Sequence, residues 1–507
     1  MKTRTIQIII CLILAIGINS CEMDVLPTDA INTSSLADSP DGILNVTNGC
    51  YALFKDNVEF GGFIDQNNNY LRQYFQMSDF ASDDIVCGQV TEDPLFYSFT
   101  LTHSPDQANS RFFWYISYKI INSTNTVIEI ADQISNMDEK TSQLIGENYF
   151  LRAFCHFNLL RFYAKPYSID PNAPGVIIRS STSESAQKAR STVKEVYDFI
   201  ISDLKKAATL MNSSRGPQFA SKEAAWGLLS RVYLYMEENA NTITYADSVI
   251  NSGVYQLESA EGFNKSYFPN AANSSETMFL IAFTPSDNKG KFGSIASMLY
   301  SDGNSGWGEE FASQSLRDEM EGFPEDVRWS YIDTLKDENG DIAEKNGIQI
   351  FYITKFSFQD GDPNLSSPVM LRLAEMYLNR AEAYAKSGND AAALGDVDEI
   401  RVNRGLENAL YNGEVPSGMT ALDVVMKERR IELAFEGHRA LDVYRNKRDM
   451  DRTYWGYHLV GLIESDIDLN VKPEDYPNET VSWTNPRIIY YIPVDEILAN
   501  PLCVQNP

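Results

Sequence analysis

The feature that most restricts the fold is a repeated pattern of long amphipathic stretches that come in pairs joined by only a few residues. Residues 110–135 read as one helix, and residues 140–163 follow with Leu144, Tyr149, Leu151, Phe154, Phe157, Leu160 and Phe162 interleaved with charges. With so short a link the two are expected to pack antiparallel, because no spare chain exists to carry the second elsewhere. The unit recurs. Residues 192–211 open with Thr192 and Glu195 in capping-box spacing, and residues 221–238 open on Ser221 as a cap and carry Trp226, Leu229, Val232 and Tyr233. Farther on, Met370, Ala374, Tyr377, Leu378, Ala381, Tyr384 and Ala385 step by three and four down one face, with Glu382 and Lys386 one turn apart outside. Gly388-Asn389 then stops that helix and residues 390–404 begin the next. Small alanines where two backbones approach suit tetratricopeptide-type hairpins, although no fixed-length consensus recurs. The expected fold class is mainly α.

Residues 258–368 have another texture. Short apolar runs at 278–283 and 348–353 are separated by Gly, Asn, Asp and Pro, which predicts hairpins and long loops. The chain therefore divides into a helical region at 41–257 and a second region at 258–507, itself loop-rich at 258–368, helical at 369–447 and irregular at 448–507. Loops held by a rigid frame are the usual carriers of function.

The N-terminus reads as a processed segment. Lys2 and Arg4 precede an apolar run of 13 residues, 6–18, that stops at Asn19-Ser20-Cys21. A helical membrane span takes about 20 residues, so residues 1–20 read as a secretory signal. A small residue directly before a cysteine is the processing pattern of bacterial lipoproteins, with Cys21 as the lipidated residue and residues 21–40, polar and turn-rich, as a flexible tether. Buried acyl chains contribute roughly 0.8 kcal/mol per methylene, enough for such an anchor to hold the protein on a membrane. With the signal removed, the net charge of −28 becomes −28 − 2 = −30. That field repels polyanions and argues against nucleic acid as a partner.

Cys50, Cys87, Cys155 and Cys503 show no metal-ligand spacing and read as small buried hydrophobes, with a disulfide permitted by export but not assignable to a pair. Among His103, His156, His438 and His458 no two have ligand spacing, and no nucleophile elbow, Walker loop or dinucleotide fingerprint occurs. The carboxylate pairs Asp83-Asp84 and Glu309-Glu310 read as solvated loop residues rather than a hydrolase dyad. Residues 337–341, Asp-Glu-Asn-Gly-Asp, lack the spacing of an EF-hand and read as a hairpin turn; no cofactor is expected, and a structural calcium ion has no assignable place.

Three segments together carry a family resemblance: G-E-N-Y-F-L-R-A-F-C-H-F-N-L-L-R-F-Y-A-K-P at 146–166, L-R-L-A-E-M-Y-L-N-R-A-E-A-Y-A-K-S-G at 371–388, and E-R-R-I-E-L-A-F-E-G-H-R-A-L-D-V at 428–443. In that order, behind a lipoprotein signal and ahead of I-P-V-D-E-I-L-A-N-P at 492–501, they resemble the SusD/RagB family. Read from spacing alone, the third motif pairs Arg429 with Glu432, Glu436 with Arg439 and Asp442 with Arg445 along an exposed helix, each worth at most about 1 kcal/mol. The resemblance implies tetratricopeptide-like hairpins in a right-handed frame with an irregular, hairpin-containing ligand-binding subdomain. It also implies an outer-membrane lipoprotein facing the cell exterior, not an enzyme, that binds glycan and closes as a lid over a TonB-dependent transporter resembling SusC. Peptide cargo, or a protein-interaction scaffold, is the alternative.

Sugars present apolar ring faces and a rim of hydroxyls, so loop aromatics beside hydrogen-bonding groups are the candidate ligand contacts. Tyr70 and Tyr74 precede an acidic loop, Phe96 and Tyr97 follow it, and Y-S-D-G-N-S-G-W at 300–307 sets Tyr300 and Trp307 among Asp302, Asn304 and glycines. Trp307 is the leading candidate.

Overall fold

The computed structural model describes residues 41–89, 96–131, 133–134, 137–452, 456 and 479–507. The expected signal, Cys21, the tether and His458 lie outside the described residues. The longer helices are α1 (Gly42–Ala52), α2 (Tyr70–Asp79), α3 (Ala108–Ala131), α4 (Glu139–Tyr163), α5 (Val193–Leu210), α6 (Lys222–Tyr235), α7 (Asn239–Ile250), α8 (Leu373–Lys386), α9 (Asp390–Val402), α10 (Ala421–Glu432) and α11 (Arg439–Arg445).

Local chemistry sets their ends. The Asp138 side chain accepts from the Thr141 N–H ahead of α4, Thr192 and Glu195 form the expected reciprocal box ahead of α5, and Ser221 accepts from the Ala224 N–H ahead of α6. Gly388, at φ 76°, turns the chain out of α8. From α3 to α10 each long helix packs on its successor, the stacked-hairpin architecture expected of a mainly α chain. Residues 251–372 intervene between α7 and α8, yet these two pack as closely as adjacent members of the stack. The loop-rich region is thus inserted between two consecutive helices and returns its ends to one place.

A strand pair makes that joint. β2 (Thr277–Leu280) lies antiparallel to β8 (Val369–Arg372), so Met370 belongs to a strand and the helix begins at Leu373, later than its apolar spacing suggests. Phe279 of β2 inserts its ring among Tyr51, Phe150 and Phe154 at centroid distances of 6.4, 5.1 and 6.0 Å, fastening the insertion to α1 and α4. The other described pairs are short: β1 (Ile85–Cys87) with β3 (Glu310–Ala312), β4 (Ile332–Thr334) with β7 (Phe351–Ile353), β5 (Glu344–Lys345) with β6 (Ile348–Gln349), and β9 (Met450–Arg452) with β10 (Glu479–Val481). Residues 337–341 form the expected turn: the Asp337 carboxylate accepts from the Asn339 and Asp341 N–H groups, and Gly340 sits at φ 89°. Cys50, Cys87, Cys155 and Cys503 are all free and buried, and burial pushes the Cys50 thiol up to about 12.

The charges of the third motif depart from expectation. The helix stops at Glu432, Phe435 and Gly437 take φ values of 67° and 78°, and the following side chains reach other elements. Only Asp442–Arg445 pairs at its predicted spacing. Arg429 bonds Asp442, Arg439 bonds Asp83, and Glu436 bonds Arg372 and Lys355. Glu432 sits against Arg328, Arg372 and Arg404 at 3.1, 2.6 and 2.8 Å. With Glu276, Asp326, Glu428 and Arg401 this makes five carboxylates facing five cations, none with a side chain more than 6% exposed. Burial alone would raise the Glu432 carboxyl, but the three guanidiniums hold it well below the usual range. Such pairs bind the insertion, through Glu276, Arg328, Lys355 and Arg372, to the helical frame. Asp83 and Asp84, read from sequence as solvated, are likewise internal and face Arg439 and Arg430, and Glu309 and Glu310 are buried beside or within β3.

Buried histidines give the fold an acid limit. His156 is inaccessible, its Nδ1 lies 2.9 Å from the Arg152 carbonyl, and its Nε2 accepts from the Arg179 N–H at 3.2 Å, so the neutral ring fills both roles. Burial lowers His156 to about 3 and His103 to about 4. With folded values below the unfolded value of about 6.5, the unfolded chain binds the extra protons, and stability falls as pH drops from about 6.5 through these values. Between pH 7 and 5 each ring is expected to cost about 2 kcal/mol. Urea midpoints measured across that range should fall steadily, and His156→Asn should flatten the profile; a flat wild-type profile would contradict the assignment.

Candidate functional site

The insertion presents one exposed aromatic surface, built from the loops at 288–308 and 356–367. Trp307 is 42% exposed and Phe292 56%, and their rings meet edge to face at 5.7 Å. The Lys291 ammonium lies 4.1 Å from the Trp307 ring centroid, which leaves a cation beside the aromatic pair. Behind it, Tyr300 is half-buried and contacts Tyr352 and Phe358 at 5.4 and 5.0 Å.

The backbone explains why the tryptophan is held outside. Its N–H and those of Gly308 and Glu309 donate to the carbonyls of Ser297, Ser297 and Met298 at 2.6, 3.1 and 2.8 Å. Gly306 must be glycine: a Cβ there would lie 2.0 Å from the Tyr300 carbonyl oxygen. With the chain clamped on both flanks, the indole has no route into the core. Asp302 serves the same loop. One carboxylate oxygen accepts from the Asn304 and Ser305 N–H groups and the Ser305 hydroxyl, and these bonds lower the acid to about 2. Asp302 is therefore ionised, and both it and Asn304 are exposed on the rim.

The second loop is tied to the first. Asn364 donates to the Ser305 carbonyl at 2.6 Å and accepts from the Ser294 hydroxyl at 3.1 Å, and Asn288 donates to Asp362 at 2.5 Å. Phe358 projects from this loop at 37% exposure with φ 74°, a strained conformation for a bulky residue. Arg72 and Asn69 of the segment entering α2 donate to the Phe292 and Gly293 carbonyls, which pins the base of the platform.

Tyr70, Tyr74 and Phe96 are not on this surface. All are buried, because α2 and the short helix Phe96–Thr100 face the core rather than forming loop. The Tyr70 hydroxyl accepts from Asn158, and that of Tyr74 from Arg161, at 2.9 and 2.7 Å. Tyr97 is half-buried and meets the edge of Phe96 at 6.4 Å. Phe292, Phe358 and Lys291 are the surface residues that sequence reasoning passes over. Gly290-Lys291-Phe292-Gly293 carries the same signal as Gly306-Trp307-Gly308, an aromatic flanked by glycines within a loop.

No group of three or more His, Cys, Asp or Glu side chains able to hold a metal ion occurs among the described residues. The surface offers apolar ring faces beside a cation, a carboxylate and amides, set on a braced frame.

Residues 31–234 match the SusD-like family model described as starch-binding associating with outer membrane, and residues 264–507 match the SusD family model. A SusD-like protein of Formosa agariphila is 23% identical over 498 residues, covering 89% of this chain and 93% of its own. Among solved structures, a SusD superfamily protein of Bacteroides thetaiotaomicron superposes with TM-score 0.78 at 27% identity, over 92% of this chain and 99% of its own. One from Bacteroides vulgatus gives 0.76 at 29% identity, over 93% and 98%.

Proposed function

Since the chain belongs to the SusD/RagB family, we propose that it is a glycan-binding protein of the outer membrane, lipid-anchored through Cys21, that captures extracellular oligo- or polysaccharide without cleaving it. The observation that carries this reading is the exposed Trp307–Phe292 pair on a surface that also carries hydrogen-bonding groups. An exposed indole costs solubility, and a rigid one braced by backbone hydrogen bonds is suited to stacking on the flat face of a pyranose ring. The described helices include none long and apolar enough to cross a membrane, and in this reading the lipid on Cys21 supplies the attachment. In this reading the captured chain is passed to a TonB-dependent transporter resembling SusC, over which the protein closes as a lid. Loops on a frame that is cross-braced by buried ion pairs suit that role, because the binding face can move as one body.

The reading is tested by incubating the purified mature chain with neutral polysaccharides: amylopectin, laminarin, galactomannan and arabinoxylan. Retardation in a gel containing one of these, with no release of reducing ends, is the expected outcome. Accumulating reducing ends would make the protein an enzyme, and free migration through all of them would remove neutral glycan as its ligand.

A further inference from the structure

The loop at 57–69 belongs to two surfaces. At one end the Gln66 carbonyl packs against Gly293 at the base of the Phe292 platform; at the other, Phe60 enters a separate cleft with a volume of about 550 Å³. That cleft lies between α3, the strap at 177–186 and the C-terminal turn at 493–499. Its volume falls within the roughly 300–1,000 Å³ typical of ligand sites.

Its walls are aromatic and fixed. Tyr115 leans on Phe60 at 5.1 Å, and Tyr118 packs on Trp114 at 5.0 Å. The Tyr118 hydroxyl donates to the Ile177 carbonyl at 2.8 Å and accepts from the same residue's N–H at 3.1 Å, so that ring is locked from both sides. The indole N–H of Trp114, 4% exposed, donates to Glu496 at 3.3 Å. Across the opening, Arg111 forks onto Asp495 at 2.7 and 2.9 Å.

Charge selects the ligand class. In a chain of net charge −28, three cations line this cleft, Arg111, Lys119 and Arg179, and three anions, Glu184, Asp495 and Glu496. The lining carries as many cations as anions, and the bidentate Arg111–Asp495 pair neutralises one of each at the opening. What it offers is half-exposed ring faces with donors and acceptors at the rim, among them Asn122 and Thr182. We infer that this cleft is a second binding site, separate from the Trp307 surface, for a short segment of a neutral polyhydroxylated chain. The inference rests on the glycan-binding reading above and extends it: a long glycan is gripped at two places rather than one.

The test is calorimetric titration of the full mature chain with maltoheptaose, laminariheptaose, galactosyl-mannopentaose and arabinoxylo-oligosaccharides. Two sets of sites are expected for at least one of them. Asn122→Trp, at an exposed position on α3, fills the cleft, and Tyr115→Ala removes one wall. Each should weaken one set by about tenfold or more, which is about 1.4 kcal/mol, and spare the other, while Trp307→Ala does the converse. If Trp307→Ala abolishes all binding and both cleft variants titrate like the wild type, the second site falls and the glycan reading stands. A single event weakened by both kinds of variant would overturn the separateness of the site. If the wild-type chain binds none of the probes, the glycan reading fails and the second site fails with it.

Discussion

Replacing Glu432 by alanine is expected to destabilise the protein by about 3–5 kcal/mol, the loss found when one partner of a buried ion pair is removed and the other is left behind. Three guanidiniums, Arg328, Arg372 and Arg404, lie within 3.1 Å of this one carboxylate, and all four side chains are essentially inaccessible. Deleting the charge turns five-against-five into four carboxylates against five cations, in a place that water does not reach to solvate the excess. Glu432→Gln keeps the shape and loses the charge, so it should show much of the same loss. Removing the exposed pair Lys194–Asp198, whose side chains are each 53% exposed, should cost less than about 1 kcal/mol. Chemical denaturation of the three variants separates these outcomes. A Glu432→Ala protein as stable as the Lys194 variant would show that the buried network does not brace the insertion against the helices.

The stacked helices were legible because their signals are local. The Thr192–Glu195 box, the Ser221 cap and the Gly388 stop act within one turn of chain, and each stands where its spacing placed it. The partners of the motif at 428–443 were not, since a three-residue spacing pairs charges only while the helix continues. The helix ends at Glu432, ahead of Gly437, and nothing local says that Glu432 would meet Arg328, Arg372 and Arg404 from three other segments. Asp83 and Asp84 were misplaced for the same reason: a carboxylate pair in a turn looks solvated until Arg430 and Arg439 arrive from the far end of the chain. Met370 satisfies helical periodicity and a strand edge equally well, and its pairing with a segment some ninety residues away, β2, decides the matter. In the site, the glycines around Trp307 marked it as a loop aromatic. Tyr70 and Tyr74, one turn apart on α2, turn the same face to the core.

Trp307→Ala is the second large effect expected, and it falls on binding rather than on folding. Aromatic anchors at the centre of a recognition surface typically carry more than about 1.4 kcal/mol, so affinity for a bound glycan should fall at least about tenfold. Stability should hardly change. The indole is 42% exposed, and the hydrogen bonds that shape its loop are made by backbone groups and by Asp302, which the substitution keeps. Phe292→Ala, which removes the ring that meets the indole edge to face, should weaken binding to a lesser degree. The decisive measurement is isothermal titration of wild-type and Trp307→Ala protein with the polysaccharide that retards the wild-type chain, alongside thermal unfolding of both. A drop in affinity of tenfold or more at the insertion's sites, with an unchanged melting temperature, is the expected result; equal affinities in the two proteins would contradict the assignment of the Trp307–Phe292 surface as the place where glycan is held.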